Sequence, residues 1–398
     1  SSNCCSTAKL AVSNALIRMI ASWLYTFLCT TATALPIYNE TLAILHYQYA
    51  LVAFCEQDRI QHWDCGTLCQ QAHSTLNSTR FIFKGPIYGA KGYVALMHGR
   101  SGDAAGNRCM VAFRGTGGYR NALTDALVFG RWPPLSMQAW RTSWCSGCRV
   151  HSGYAAAYEE VRKPMMRAFQ HLRCKSLIFS GHSLGGAIAT LAAMDMRGSE
   201  SALVESVWTY GKPRLGNAGF VHEFAKAAKM QGVDPPMWRI VHYHDIVPHM
   251  NPFGQHEALE VYYRRNAYDS KDPSRYEVCP PIAADFCIGS CCAAGSPNLR
   301  EAFEQAYDLM SDPRASFHTY YLGVDFFNQV SAKAGCNFQM EKSTHDLIGL
   351  ILDLPRMCLF SILFAVALLS LFVFVCCRCC WRHKGRSRNQ AAVRPVEC

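Results

Sequence analysis

The five residues Gly181-His182-Ser183-Leu184-Gly185 constrain this chain more than any other feature in it. They follow an apolar run, SLIFSG (176–181), and open an apolar stretch, SLGGAIATLAAMDM (183–196), that reads as a helix. A G-x-S-x-G set between strand and helix predicts a sharp turn that lifts the serine hydroxyl clear of a sheet. Glycines on either side remove Cβ atoms that would collide there. The helix start behind the serine offers N–H groups and a positive dipole end to a developing oxyanion. The rest of the chain keeps the same alternation. YVALMHG (93–99), CMVAFRG (109–115), VESVWTYG (204–211) and MWRIVHY (237–243) read as buried strands. HSGYAAAYEEVRKPMMRAFQHL (151–172) and NAGFVHEFAKAAK (217–229) read as helices. Strand–helix alternation predicts an α/β sheet with parallel strands at its centre.

A serine hydroxyl is a poor nucleophile without a base, and the base needs a carboxylate to hold its tautomer. After a nucleophile on such an elbow, the acid and then the histidine follow along the chain. Asp245 is the leading acid, because VHYHDIVP (241–248) places it just past an apolar strand, where loops line a site. Asp195 is nearer in sequence but lies on the helix that carries Ser183 and points away from the elbow. His318, in Phe317-His318-Thr319-Tyr320-Tyr321, is the candidate base. His242, His244, His249 and His256 are its rivals, and the first three crowd the loop of the acid itself.

Composition excludes other classes. The chain has 398 residues, 50% hydrophobic and 17% charged, which is globular rather than disordered. No block repeats at a fixed period, which argues against a solenoid or propeller. The net charge of +10 would suggest a polyanion partner, but it sits at the ends. Residues 35–355 hold 30 basic and 28 acidic residues, so nothing in the middle asks for nucleic acid. Of 21 cysteines, twelve fall in that middle stretch, a number that fits disulfides and a secretory environment. The sequons at Asn39 and Asn77 agree with that compartment and mark them as glycosylation candidates.

Residues 19–34, uncharged after Lys9 and Arg18 and ending Ala32-Thr33-Ala34, read as the apolar and cleavage regions of a signal peptide spanning 1–34. A retained N-terminal anchor is the alternative. Met357 to Cys377 is 21 residues without a charge, about 31 Å as a helix, enough for a hydrocarbon core. Arg378, Arg382, Lys384, Arg386 and Arg388 follow, a positive-inside pattern. The reading is one membrane pass at 357–377, a juxtamembrane linker at 341–356 and a cytosolic tail at 378–398. Cys376, Cys377, Cys379 and Cys380 sit at the cytosolic interface as acylation candidates. The catalytic domain, 35–340, would then be lumenal or extracellular.

The motifs together resemble the fungal-type class 3 lipase family of α/β-hydrolases, over most of the chain from about Tyr38 to Cys336. GHSLGGA (181–187) resembles the family's elbow and TYGKPRLGNAGF (209–220) the strand and turn after it. VHYHDIVPH (241–249) resembles its acid loop, HTYY (318–321) its terminal histidine segment, and QHEALEVYY (255–263) a non-catalytic stretch that lowers His256 as a rival. The resemblance implies an α/β-hydrolase fold: a mostly parallel central sheet with helices on both faces, here with a C-terminal transmembrane helix. It implies Ser183, Asp245 and His318 as catalytic residues. VAFRGT (111–116) resembles the strand end whose Thr116 would join the Leu184 backbone N–H in an oxyanion hole. GGYRNALTDALVF (117–129) resembles the lid helix, with Arg120, Asn121 and Asp125 in matching places. The family often has Trp after that Asn; this chain has Ala122, which weakens the expectation of interfacial activation.

The resemblance further implies a Cys65–Cys69 bridge and a Cys55–Cys336 bridge. Cys279, Cys287, Cys291 and Cys292 can pair among themselves, while Cys109, Cys145, Cys148 and Cys174 stay unassigned, with zinc at Cys145-x-x-Cys148 as the alternative to a disulfide. The expectation is a membrane-anchored serine ester hydrolase acting on acylglycerol or phospholipid, with no metal and no organic cofactor. Two alternatives remain: a carboxylesterase for small or polysaccharide esters, and a catalytically silent membrane ectodomain.

Overall fold

The computed structural model describes residues 37–72, 76–98, 107–115, 137–140, 143–199, 202–230, 232, 237–251, 254–257, 259–265, 275–279, 299–311 and 313–338. The expected signal peptide, linker, membrane pass and tail lie outside them. Among the described residues no helix is long and apolar enough to cross a membrane.

The chain enters through three helices, α1 (Glu40–Val52), α2 (Gln57–His62) and α3 (Gly66–Ala72). Asn39, the first sequon residue, caps α1: its side chain accepts from Leu42 N at 3.0 Å. Strands β1 (Leu76–Lys84), β2 (Lys91–Met97) and β3 (Asn107–Phe113) follow, each antiparallel to the one before. The second sequon residue, Asn77, lies on β1. A small ribbon, β4 (Met137–Ala139) with β5 (Arg149–His151), precedes α4 (Ser152–Leu172). Then β6 (Cys174–His182), α5 (Leu184–Gly198), β7 (Leu203–Tyr210), α6 (Ala218–Met230) and β8 (Trp238–His242) repeat the strand–helix unit. Strands β9 (Leu259–Tyr263) and β10 (Tyr276–Cys279), helix α7 (Leu299–Ser311), the short ribbon β11 (Tyr320–Tyr321) with β12 (Val324–Asp325), and α8 (Phe326–Val330) complete the described chain.

The main sheet runs β1-β2-β3-β6-β7-β8-β9-β10. The five strands from β3 to β9 are parallel, and β1, β2 and β10 run antiparallel at the edges. Alternation along each strand sorts side chains into two cores. Ile178, Met110, Ala112, Trp208 and Tyr210 face the core shared with α1, α2 and α3, and Leu177, Phe179, Val111, Phe113 and Val207 face the one shared with α4 and α5. Helix α5 is buried along its length from Gly185 to Arg197, so it packs on every side rather than on one face. Its small residues, Gly186, Ala187, Ala189, Ala192 and Ala193, let it lie close against the sheet.

Four disulfides lie within the described residues. Cys55–Cys336, 281 residues apart, ties the start of the domain to its end and constrains the unfolded chain over the longest loop. Cys65–Cys69 is local. Cys109–Cys174 joins β3 to β6. Cys145 bonds Cys148, so this pair, for which zinc was the alternative, forms a bridge. Cys279 is disulfide-bonded as well.

Candidate active site

Ser183 occupies the bend between β6 and α5 with φ 58° and ψ −130°. A residue bearing a side chain takes such a backbone only when its surroundings enforce it, at about 1–3 kcal/mol. The enforcing contacts are local. Ser183 N donates to the Tyr210 carbonyl at the end of β7 (2.8 Å), and Gly186 N donates to the Ser183 carbonyl (2.9 Å). The bend closes only around glycine: a Cβ on Gly181 would stand 2.2 Å from the Gly185 carbonyl oxygen.

Asp245 and His318 arrive from loops beyond the sheet. The turn after β8 places Asp245, and a 3-10 turn at Phe317–Thr319 places His318, whose backbone N–H donates to Ser316 Oγ at 3.2 Å. His318 Nδ1 lies 2.8 Å from Asp245 Oδ2, and both side chains are fully buried. With its Nδ1 proton donated to the carboxylate, His318 keeps the lone pair on Nε2, the tautomer that can accept a proton. Tyr321 Oη also donates to Asp245 Oδ2, and Val247 N donates to Oδ1 at 2.9 Å. Burial alone would raise the Asp245 pKa. The facing His318, with these hydrogen bonds, outweighs burial and holds the carboxyl below the usual carboxylate value.

One dipeptide joins the two halves. Tyr210 accepts from Ser183 N, and Gly211, with φ +58°, backs onto the Asp245–His318 pair. A Cβ on Gly211 would come within 2.8 Å of Asp245 Oδ2 and of His318 Nδ1. Any larger residue would therefore push the acid and histidine away from the elbow. His182, beside the serine, completes the packing. Its ring centroid is 4.6 Å from that of His318, and its Nε2 donates to the His318 carbonyl at 2.9 Å. Burial lowers the His182 pKa to about 3, so it stays neutral and sets no second cation beside His318.

Leu184 opens α5, so its N–H is one of the first-turn amides that have no acceptor within the helix. Gly115, just past β3, lies against the elbow: a Cβ there would be 3.1 Å from Ser183 Cβ. Thr116 follows it in sequence and lies outside the described residues. So do Arg120, Asn121, Ala122 and Asp125 of the expected lid, and Cys376, Cys377, Cys379 and Cys380.

Of the rival groups, Asp195, His242, His244 and His256 have other partners. Asp195 accepts from Tyr158 Oη at 2.7 Å and Arg162 Nε at 2.6 Å on the far side of α5. His244 Nδ1 pairs with Glu301 at 3.1 Å, and His256 Nε2 donates to the Pro248 carbonyl at 2.7 Å. His242 packs edge-on against Tyr321 with ring centroids 5.9 Å apart, and His249 is held near pKa 4 by burial and by Arg214. Sequence reading missed Tyr321 and His182 as neighbours of the acid and the histidine. Both lay inside segments it had singled out, but only the folded turn shows that the fourth residue of HTYY turns its phenol back on Asp245.

Residues 110–255 match the family model described as Lipase (class 3). A lipase of Rhizopus niveus is 35% identical over 151 residues, 36% of this chain and 34% of that protein. Secreted mono- and diacylglycerol lipase 1 of Fusarium solani is 31% identical over 195 residues, 47% of this chain and 54% of that protein. The chain thus spans between a third and about half of the length of these curated relatives. Among solved structures, lipase II from Rhizopus niveus aligns with TM-score 0.50 and 24% identity, covering 72% of this chain and 97% of that one. A mutant MDLA of Penicillium cyclopium aligns with TM-score 0.51 and 23% identity, with the same coverage. At that identity the likeness establishes the fold, an α/β-hydrolase with a mostly parallel central sheet. Residues 110–255 thus resemble class 3 lipases, over less than half of the chain.

Proposed function

We propose that this protein is a serine ester hydrolase of the class 3 lipase kind, acting on acylglycerols. The observation that carries the reading is a serine in strained backbone at a strand-to-helix bend, backed through Tyr210–Gly211 by a buried His318–Asp245 pair. In this reading Ser183 Oγ attacks the ester carbonyl while His318 Nε2 takes its proton. The tetrahedral oxyanion is met by the backbone N–H of Leu184 and of Thr116. His318 returns the proton to the leaving alcohol, and Asp245 stabilises the imidazolium in between. Water, deprotonated by His318, then attacks the acyl-enzyme, which releases a fatty acid and restores Ser183.

The acylglycerol substrate rests on the likeness to lipases, one of them named for mono- and diacylglycerols. The domain arrangement is also part of the proposal: a signal peptide at 1–34, the hydrolase at 35–340 and a membrane pass at 357–377, with acylation at Cys376, Cys377, Cys379 and Cys380 and glycans at Asn39 and Asn77. A domain tethered in this way works on membrane lipid, either diacylglycerol or phospholipid. The lid 117–129, with Arg120, Asn121 and Asp125, would cover the acyl groove.

Ala122 favours a second reading, in which the lid lacks its aromatic contact and small soluble esters are preferred. A chain-length series of esters given to the full chain separates the two. Faster turnover of long-chain diacylglycerol in vesicles than of a water-soluble butyrate ester supports the lipase. Cleavage of the short ester alone replaces it with the esterase.

A further inference from the structure

The turn between β1 and β2, residues 85–90 (GPIYGA), carries no charge and presents two large apolar side chains to solvent. Ile87 is 81% exposed and Tyr88 is 48% exposed. Single exposed hydrophobics need no explanation, but two adjacent ones at a tip clamped from beneath invite one. Glu160 of α4 takes the backbone N–H of Ile87 at 2.8 Å and that of Tyr88 at 3.0 Å. Arg114 Nη2 donates to the Gly89 carbonyl at 2.9 Å, and Gly85 N donates to the Ala90 carbonyl at 2.6 Å. The backbone of the tip is thus turned inward onto a carboxylate and a guanidinium, and its two apolar side chains are left outside.

The position matters as much as the exposure. Lys84 pairs with Lys91, Gly92 with Phe113, and Phe113 with Gly181. The turn therefore emerges at the same edge of the sheet as the carboxyl ends of β3 and β6, where Ser183 stands. Three strand spacings separate β1 from β6, about 14–15 Å. Arg114, which holds the turn, precedes Gly115, which abuts Ser183.

We propose that the clamped Ile87–Tyr88 tip is a lipid-surface anchor that seats the sheet edge bearing Ser183 against the membrane whose lipid it hydrolyses. This rests on the lipase reading above, and it adds an anchor distinct from the expected lid. A lipid surface fits better than a protein partner for three reasons. Acylglycerol esters reach the enzyme in aggregated lipid, so the edge that opens to the site must face that surface. In the proposed arrangement the membrane pass at 357–377 begins twenty residues after Cys336 (residues 337–356), a tether short enough to keep a bilayer within reach. An aliphatic side chain next to a phenol suits the boundary between acyl chains and headgroups, where tyrosine keeps its hydroxyl in water. Because the turn is already ordered, insertion immobilises little further backbone.

The test compares the full chain with a full chain carrying both Ile87→Ser and Tyr88→Ser, each reconstituted in phosphatidylcholine vesicles containing diacylglycerol. The anchor predicts that vesicle hydrolysis falls about ten-fold or more while hydrolysis of a water-soluble butyrate ester is unchanged. Equal rates on both substrates, or an equal fall on both, overturn it. A second arm uses Ser183→Ala protein and a phosphatidylcholine whose acyl chain carries a photoreactive group. Crosslinks to residues 85–90 that vanish in the double-serine background support the anchor, and their absence overturns it. This arm reads lipid contact without catalysis, so it decides the anchor even if neither ester is cleaved, an outcome that would instead remove the lipase reading.

Discussion

Two clusters of charge lie buried inside the protein, one across β8 and β9 and one in the loops beyond the sheet, and they are built on opposite plans. Arg239 and Glu260 face each other in register across these two strands, 2.6 Å apart, and Lys212 meets Glu257 at 2.8 Å. All four side chains are buried, and each pair sets a cation against a carboxylate. Burial lowers the Lys212 pKa, and Glu257 opposes that shift. The second cluster, Asp245 with His318, Tyr321 and Val247, surrounds one carboxylate with three donors, one of them an imidazole whose other nitrogen can exchange a proton. Burial and charge therefore do not mark a site by themselves. In the proposed reading the two differ by a movable proton: the first cluster holds strands together, and the second holds a base in one tautomer.

The largest effect expected from that contrast is chemical. Ser183→Ala should lower ester hydrolysis by about 10⁶-fold, as loss of a triad nucleophile does, with no drop in the thermal midpoint. Steady-state rates and a melting curve on the same preparation check both halves. Next, Asp245→Asn should lower kcat by about 10⁴-fold, because the amide stabilises the wrong tautomer of His318. Glu260→Gln should do the reverse. It leaves Arg239 buried without its counter-charge and should cost about 3–5 kcal/mol of stability in urea titration, while activity per folded molecule survives. Should Asp245→Asn unfold the protein and Glu260→Gln abolish turnover in a stable fold, the two clusters have been assigned the wrong way round.

Smaller effects sharpen the picture. Tyr321→Phe removes one donor from Asp245, a charged hydrogen bond worth about 1.5–3 kcal/mol. The Asp245 pKa should rise, and the acid limb of the kcat/KM profile should move to higher pH. A merely structural Tyr321 would lower stability and leave that limb in place. The last effect concerns acid and accrues gradually with pH. Burial lowers both His46 and His182 from 6.5 to about 3 in the folded state. Between those values the unfolded chain binds protons that the native chain refuses, so stability should fall as pH drops through that window. The slope is at most about 1.4 kcal/mol per pH unit for each histidine. Asp245, depressed in the fold, adds loss in the same direction as pH falls through its own native value. Urea titrations at stepped pH measure the slope, and replacing His46 with Gln should reduce it.

The central strands and the helices between them were legible because their periods are strong. SLIFSG became the core of β6, and the run read as 151–172 became α4 with its first residue left in β5. The edge strands were not. β1, LNSTRFIFK, mixes polar and apolar residues because only part of it is buried, and β10 is four residues long, so neither shows a clean period. For the site, chain order and strand ends pointed to Ser183 and Asp245, while His318 stood among rival histidines until the family resemblance singled out HTYY. The supporting shell was illegible for a physical reason. His182 and Tyr321 act through ring packing and a turned phenol, and Gly211 through a close approach, none of which has a sequence period. The cysteines divided the same way. Spacing left Cys109 and Cys174 open, and only the pairing of β3 with β6 brings them together.

The most direct test of the account is covalent. A fluorophosphonate reacts with a serine only when a base and an oxyanion site activate it. The full chain, incubated with such a probe and digested, should give one modified peptide containing Ser183. Labelling should vanish in Ser183→Ala and drop sharply in a chain with His318 replaced by Ala. Equal labelling of wild type and Ser183→Ala, or none in a wild-type chain shown to be folded, would contradict the account at its centre.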